Sequence, residues 1–410
     1  MKRTSDRTDR ISSLPDDVLV HVLSFLNTRD AVRTCVLSKR WRNTWTIVPI
    51  LNFDFYEFPT ELVSEDDDDD IKENIKEDLK FDSFVCSVLE NRGPSHVDTV
   101  TFTGEFMSHF CEPSMRWLHR AALLMPQVIS AMIPCFELAE LHLPDSVFSC
   151  ASLELLELIH NPYVGKAYLK QNSIALASLK TLMLVNLVLD DDFARKLLLG
   201  CPVLEDLQLL DCELFMSDIS SNVLKRLIIH DCWLLQHMRI SCPILVSLFI
   251  ISCKNTIRII SLENLTSLVY ATIELVGSDE EEVVDTLPKL KFLCGLSNAT
   301  YLKLLFRPLP ELKEQLENEI SCGTFCNLNC LDIGAWNMVK HFSLVALFLE
   351  HSPVLKQLAL SLNRDVIQEM PGRDVSFQLE YIETVNIFSD EKKLARRRNH
   401  KRRSVGEIIK

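Results

Sequence analysis

The chain has 410 residues, with 57 acidic against 43 basic side chains and a net charge of −14 at pH 7. That length exceeds a single compact core and points to two domains or an elongated repeat, and the acidic balance disfavours nucleic acid as a general electrostatic partner. Glycine is scarce at 10 residues, neither GxGxxG nor GxxxxGK[ST] occurs, and no run of eighteen apolar residues offers a membrane span, which excludes phosphate-cradling loops of the usual kinds and an apolar transmembrane helix.

The polar start MKRTSDRTDR lacks the apolar stretch of an export signal, so the expected location is intracellular, in nucleus, cytoplasm or both. In that setting the 14 cysteines are expected to be reduced and to serve as small apolar side chains. Asn264-Leu-Thr266 and Asn298-Ala-Thr300 match the glycosylation sequon, which carries little meaning there.

From Ile11 to Trp45 the sequence predicts three short amphipathic helices. Leu14-Pro15 precedes Asp16, whose carboxylate suits a helix start, and Leu19, Val22, Leu23 and Leu26 follow at i, i+3, i+4, i+7. Asp30 opens a second segment with Val32, Cys35 and Val36 apolar. Ser38 is expected to cap a third, in which Trp41 and Trp45 share a face. A unit of about forty residues is below the size that usually folds alone, so its spare apolar surface calls for the rest of the chain or a partner.

The phrase Leu14-Pro15-Asp16-Asp17-Val18-Leu19, then Leu23 and Leu26, then Cys35-Val36-Leu37-Ser38-Lys39-Arg40-Trp41-Arg42 and Trp45, resembles the F-box in the wording of plant F-box proteins. Thr44 departs from it, standing where an apolar residue is common. The resemblance covers roughly the first fifty residues, and implies a Skp-type adaptor as partner and, through it, the cullin and RING subunits of a ubiquitin ligase. The adaptor-binding residues it nominates are Leu14, Pro15, Asp16, Leu19, Leu23, Leu26 and Trp41.

Past Phe53 to Phe58, which is aromatic and expected to pack, Glu65 and the run Asp66 to Asp70 predict an exposed, solvated loop or linker. A helical pattern resumes through Leu79, Phe81, Phe84, Val85, Val88 and Leu89 and stops near Arg92-Gly93-Pro94.

Beyond this point the chain repeats itself. Cys201-Pro202-Val203-Leu204-x-x-Leu207-x-Leu209 returns as Cys242-Pro243-Ile244-Leu245-x-x-Leu248-x-Ile250 and as Ser352-Pro353-Val354-Leu355-x-x-Leu358-x-Leu360. A shorter copy, Leu224-x-x-Leu227-x-Ile229, sets spacings of 20 and 21, with Cys212, Cys232 and Cys253 each eight residues after their repeat start. This is leucine-rich-repeat grammar. Further copies are expected at Leu138, Leu153, Leu179, Leu328 and Ala299, with Val97 and Ile382 beginning the outermost ones, and the irregular intervals leave room for helices at Asp190 to Leu199 and Val339 to Leu349.

The predicted fold class is α/β: a three-helix F-box at residues 8–55, an acidic linker and helix at 56–96, an irregular repeat solenoid with a parallel curved sheet at 97–388, and a basic tail at 389–410. In L-x-x-L-x-L the last two leucines point into one core and alternating side chains point out. Those outward side chains are the candidates for binding a protein target, at present unknown: Asp206, Gln208, Arg226, His230, Phe249, Ile251, Lys303, Asp332 and Gln357.

An F-box followed by irregular leucine-rich repeats resembles the plant F-box/leucine-rich-repeat family, in which the repeats hold the substrate. The function this implies is a substrate-recruiting subunit of an SCF-type ubiquitin ligase, and the alternative is a non-ligase scaffold or nuclear interaction module. Many members end in a further domain, and with only 23 residues after Ile387 that domain is expected to be missing or truncated here. The final residues are basic, and Arg396, Arg397, Arg398, Lys401, Arg402 and Arg403 form a candidate nuclear-import address or a solvated tail.

No catalytic residue, cofactor or metal is expected. Cys322, Cys326 and Cys330 are evenly spaced, but no paired Cys-x-x-Cys or histidine pair completes a zinc site. His230 has no identifiable nucleophile and acid partner for a hydrolase triad.

Overall fold

The computed structural model describes residues 11, 14–58, 68–104, 111–133, 140–161, 165–254, 260–275, 290–306, 324–336, 342–362 and 384–389. The chain divides into two units, Met1–Glu205 and Asp206–Lys410. The basic residues Arg396 to Arg403 lie outside the described residues.

The first unit opens with helices α1 (Asp16–Leu23) and α2 (Thr28–Arg33), followed by 3-10 segments at Thr34–Val36 and Trp41–Ile47. Three expectations change in detail. Asp16 does not cap α1: Pro15 holds that position with no side-chain bond, and Asp16 instead accepts a hydrogen bond from Arg40 Nε at 3.0 Å. Asn27, not Asp30, caps α2 by accepting from the Asp30 amide at 2.7 Å. The third segment is a 3-10 helix preceded by Arg40, without a Ser38 cap, because Ser38 stands three residues before the helix begins.

The acidic run is the larger correction. Asp68, Asp69 and Asp70 form the first turn of α3 (Asp68–Glu90) rather than a loop. Acidic residues in the first turn of a helix are favoured by the positive end of its dipole, which offsets the repulsion expected of a charge run. The buried face of α3, Phe81, Val85, Val88 and Leu89, packs into an aromatic cluster. Phe81 meets Phe55, Phe58 and Trp117 edge-on with centroids 5.3–5.4 Å apart, and Phe53 stacks on Phe102 at 5.2 Å.

Strands then follow the repeat pattern. β1 (Ile50–Asp54), β2 (Thr99–Thr103), β3 (Val128–Ile133), β4 (Glu140–His142), β5 (Leu155–His160), β6 (Ala167–Lys170), β7 (Thr181–Val185) and β8 (Leu187–Asp190) make two parallel sheets in the first unit, ordered β1-β2-β3-β5-β7 and β4-β6-β8. The sheet therefore starts at Ile50, ahead of Val97. Leu141 lies on β4 of the smaller sheet, and the neighbour of β2 in the larger sheet is β3, whose Ile129, Ala131 and Ile133 point inward. Helices α4 (Cys111–Leu123), α5 (Asp145–Phe148) and α6 (Asp191–Gly200) flank the strands. α6 falls where a helix was expected at Asp190 to Leu199, and Asp190 caps it, accepting from the Phe193 amide at 2.9 Å.

The second unit repeats the plan with strands β9 (Asp206–Leu210), β10 (Glu213–Phe215), β11 (Asp218–Ser220), β12 (Arg226–His230), β13 (Trp233–Leu234), β14 (Met238–Ser241), β15 (Ser247–Ile251), β16 (Ile260–Glu263), β17 (Tyr270–Leu275), β18 (Tyr301–Phe306), β19 (Cys330–Trp336), β20 (Gln357–Leu362) and β21 (Thr384–Ser389). Its main sheet runs β9-β12-β15-β17-β18-β19-β20-β21, all parallel, with β10-β13 and β11-β14-β16 as smaller parallel sheets. Residues at matching repeat positions fall in register: Leu207, Leu227, Leu248, Ala271, Leu302, Leu331 and Leu358, all leucine but one, stand side by side and are buried. A helix at Phe342–His351 overlaps the expected Val339 to Leu349 and ends two residues after it; residues 337–341 are outside the described set.

Each short repeat turns at a residue the pattern alone does not reveal. Asp211, Asp231 and Ser252 have φ of 50°, 54° and 55°, a left-handed conformation that Asp and Ser tolerate better than bulky residues. It ends the strand and sends the chain into the buried cysteine one residue later. No helix among the described residues is long and apolar enough to cross a membrane. Among them, no group of three or more His, Cys, Asp or Glu could hold a metal ion; Cys326 is exposed, Cys330 is partly buried at the start of β19, and Cys322 lies outside the described residues.

Candidate functional site: an apolar docking module and an outward sheet face

Leu19, Leu23, Ala31, Trp41 and Val48 form one buried cluster, with Leu14 and Trp45 packed on it. Leu19 and Leu23 are 0% exposed, so of the nominated contact residues Leu19, Leu23 and Trp41 are the interior of the module. The reason is helix geometry: Leu19 and Leu23 lie four apart on one face of an eight-residue helix, and that face turns onto the 3-10 segment carrying Trp41. Pro15, Asp16 and Leu26 are exposed and Leu14 is half-buried.

The outward apolar surface belongs instead to neighbours outside the nominated contact set, among them Val22, expected on the same face as Leu19 and Leu23 but 44% exposed. Val18 and Val22 form a second stripe on α1, Phe25 is 77% exposed just beyond it, and Val36 and Leu37 are 82% and 66% exposed after α2. Their signal was present in the sequence as a parallel i, i+4, i+7 series, Val18, Val22 and Phe25, one residue ahead of the buried one. Periodicity alone cannot say which of two adjacent stripes faces in. The module is tied to the first repeat strand: Thr28, 4% exposed, accepts from the Asn52 amide at 2.7 Å through Oγ1, and the Arg29 guanidinium lies 4.3 Å from the Phe58 ring centre.

On the second unit the alternation of the strands brings most of the predicted face residues into two rows. One row contains Asp206, Arg226, Ser247, Tyr270, Tyr301, Cys330 and Gln357, and the next Gln208, Ile228, Phe249, Thr272, Lys303 and Asp332. Asp206, Gln208, Arg226 and Phe249 cluster: Gln208 Nε2 donates to Asp206 Oδ2 at 3.0 Å, Arg226 Nη1 stands 3.5 Å from the same oxygen, and the Arg226 guanidinium lies 6.0 Å from the Phe249 ring centre. Burial pushes the Asp206 carboxyl above its ordinary pKa, against the opposing pull of Gln208 and Arg226.

Lys303 and Asp332 form a separate pair, Nζ donating at 2.7 Å. Tyr301 beside them has its hydroxyl pushed up to about 12 by burial first, then by Asp332 and Cys330. Tyr270, its ring tilted against Tyr301 with centroids 6.1 Å apart, was absent from the predicted set and is the most open ring of the face. His230 pairs with Asp231 at 3.0 Å at the far end of β12, Ile251 stands beside it, and Gln357 is exposed on β20 away from the cluster. Aromatic rings and paired charges on an open sheet are binding chemistry.

Comparison with known proteins agrees with both halves. Residues 11–53 match the F-box domain model and residues 115–276 match the model described as FBD-associated F-box protein At5g56370, LRR repeats. The chain is similar to three Arabidopsis thaliana proteins. FBD-associated F-box protein At4g13985 is 31% identical and F-box/FBD/LRR-repeat protein At4g00160 is 34% identical, each over 54% of this chain. The alignment covers 46% of each, so the chain spans about half the length of those two relatives. F-box/LRR-repeat protein At3g58900 is 32% identical over 72% of this chain and 93% of its own length. With that coverage, an F-box fold at the start and parallel leucine-rich strands after it, the chain belongs to the plant F-box/LRR-repeat family.

Proposed function

We propose that this protein is a non-catalytic receptor subunit of an SCF-type ubiquitin ligase: the F-box module docks on a Skp-type adaptor, and the outward face of the repeats holds a protein target. The observation that carries the reading is an F-box whose own core is complete yet which exposes Val18, Val22, Phe25, Leu26, Val36 and Leu37 within twenty residues of sequence. Apolar side chains at that density belong under a partner. Catalysis is positional: the receptor raises the local concentration of target lysines near ubiquitin carried elsewhere in the complex.

Co-purification of the full chain from plant extract tests it. Adaptor and cullin are expected with the unaltered chain and are expected to be lost with the paired change Phe25→Glu and Val36→Glu, two exposed positions outside the buried cluster, with an unchanged melting temperature as the control. If the same partners are recovered with that variant, or adaptor and cullin are never recovered, the scaffold reading replaces the ligase reading.

A further inference from the structure

We infer that the end of the second unit's outward face formed by β9, β12 and β15 is a receptor for a basic side chain, an arginine or lysine on an extended segment of the target. The inference rests on the repeats being the target-binding surface and names the chemistry that surface selects.

Two acceptors carry it. Asp206 Oδ1 and Gln208 Oε1 are buried and have no hydrogen-bond partner, and Gln208 as a whole is only 5% exposed. A buried acceptor without a donor is destabilising until a donor reaches it, and native folds keep few of them outside functional sites. The Gln208 amide is spent on Asp206 Oδ2 at 3.0 Å, which locks the two side chains together. Arg226 Nη1, at 3.5 Å from Asp206 Oδ2, is beyond good hydrogen-bond distance, and more than a third of its side chain is open to solvent. Arg226 therefore stands beside the pair without satisfying Asp206 Oδ1 or Gln208 Oε1, and its partly open side chain can swing aside.

The incoming group has to supply donors. A guanidinium offers several N–H groups in one plane, and an ammonium offers three that rotate, so either reaches both oxygens from a single side chain. The Phe249 ring, already facing the Arg226 guanidinium, supplies the face on which a second cation rests. Acidic or phosphorylated targets fit worse, because the unpartnered groups are acceptors that an anion cannot satisfy, and the face's cations already stand beside carboxylates, Arg226 3.5 Å from Asp206 and Lys303 2.7 Å from Asp332. Charge complementarity at long range points the same way, since the chain carries a net charge of −14.

The test uses the full chain and three fluorescein-labelled synthetic peptides of equal length: three repeats of Gly-Ser-Arg-Ser, the same with glutamate for arginine, and the same with phosphoserine for the last serine of each repeat and glycine for arginine. Anisotropy titration at fixed salt is expected to show binding of the arginine peptide only. Asp206→Asn, nearly isosteric, is expected to weaken it at least tenfold with an unchanged melting temperature, and Gln208→Leu to weaken it similarly. Arg226→Gln is expected to tighten it several-fold by removing the internal competitor, the opposite of what an anionic ligand would show.

Binding of the glutamate or phosphoserine peptide instead, no binding of the arginine peptide, indifference to Asp206→Asn, or weakening by Arg226→Gln would each overturn the inference. Adaptor capture is measured on the same preparations. Peptide failure with adaptor capture intact removes only the basic-side-chain receptor, whereas adaptor failure removes the ligase reading.

Discussion

Replacing Leu23 and Phe25 by alanine separates the two tasks of the first helix and its C-terminal turn. Leu23 is fully buried in a cluster of only five core side chains, and truncating a buried leucine removes its transfer energy and leaves a cavity, a cost of roughly 2–4 kcal/mol. Phe25, 77% exposed, contributes little to the isolated fold, so its truncation shifts stability by no more than about 0.5 kcal/mol. Under an adaptor the open three-quarters of the ring is covered, which is worth about 1–2 kcal/mol, or roughly 5–30-fold in Kd. Urea denaturation and calorimetric titration with a purified Skp-type adaptor read the two quantities independently. Full adaptor affinity in Phe25→Ala would refute the reasoning. So would a Leu23→Ala chain that stays fully stable yet loses the adaptor, since that would return the buried leucine to the contact surface.

Three other substitutions test the scaffold. Thr28→Val keeps the shape but removes the acceptor of the Asn52 amide; leaving that amide unpaired is expected to cost about 1–3 kcal/mol in urea denaturation, and an unchanged midpoint would show that the tie does not matter. Ser352, 4% exposed with its hydroxyl unpartnered, occupies the place that Cys201 and Cys242 hold in sister repeats, so Ser352→Cys or Ser352→Ala is expected to raise stability by about 1 kcal/mol, read as a higher Tm. Gly200→Ala would place a methyl 2.1 Å from the Ile174 carbonyl oxygen. The helix-propensity gain of about 1 kcal/mol is then outweighed by a clash costing about 1–3 kcal/mol or more, and a net rise in Tm would contradict that geometry.

The repeat strands were legible because their signal is redundant: the L-x-x-L-x-L phrase, its Cys-Pro or Ser-Pro lead and the trailing cysteine all fix one register, and Leu207, Leu227 and Leu248 stand in that register. β3 was missed because Val128-Ile-Ser-Ala-Met-Ile133 has the alternation without the leucines. Asp68 to Asp70 were misassigned because a charge run says nothing of the helix end it can stabilise. In the F-box module the sequence showed that apolar stripes exist, but which stripe is inside depends on where the Trp41 segment returns, a tertiary fact. The same limit applies to the sheet face: alternation placed Asp206 and Gln208 outward, yet their unsatisfied oxygens depend on the reach of Arg226, which only geometry reveals.

The cysteine ladder poses a choice that magnitudes decide. Cys232 is 1% exposed, its Sγ lies 3.3 and 3.4 Å from the Leu209 and His230 carbonyl oxygens, to either of which its one S–H can donate, and it accepts from the Cys212 amide at 3.4 Å. Burial raises its pKa well above the ordinary thiol value, so it stays protonated and is expected to resist alkylation in the folded chain. Were these hydrogen bonds its main role, serine would replace it better than alanine. But the His230 oxygen already accepts from the Asp211 amide at 2.8 Å, and S–H is a weak donor, so the sulfur serves chiefly as a filler of apolar volume. A serine oxygen, on a shorter bond, would sit farther from carbonyls spaced for sulfur and would bring a hydroxyl desolvation cost of about 1–3 kcal/mol, only partly recovered. Cys232→Ala is therefore expected to cost about 1 kcal/mol and Cys232→Ser about 2 kcal/mol. The reverse order in urea denaturation would show that the ladder holds the turns after Asp211, Asp231 and Ser252 by hydrogen bonding rather than by packing.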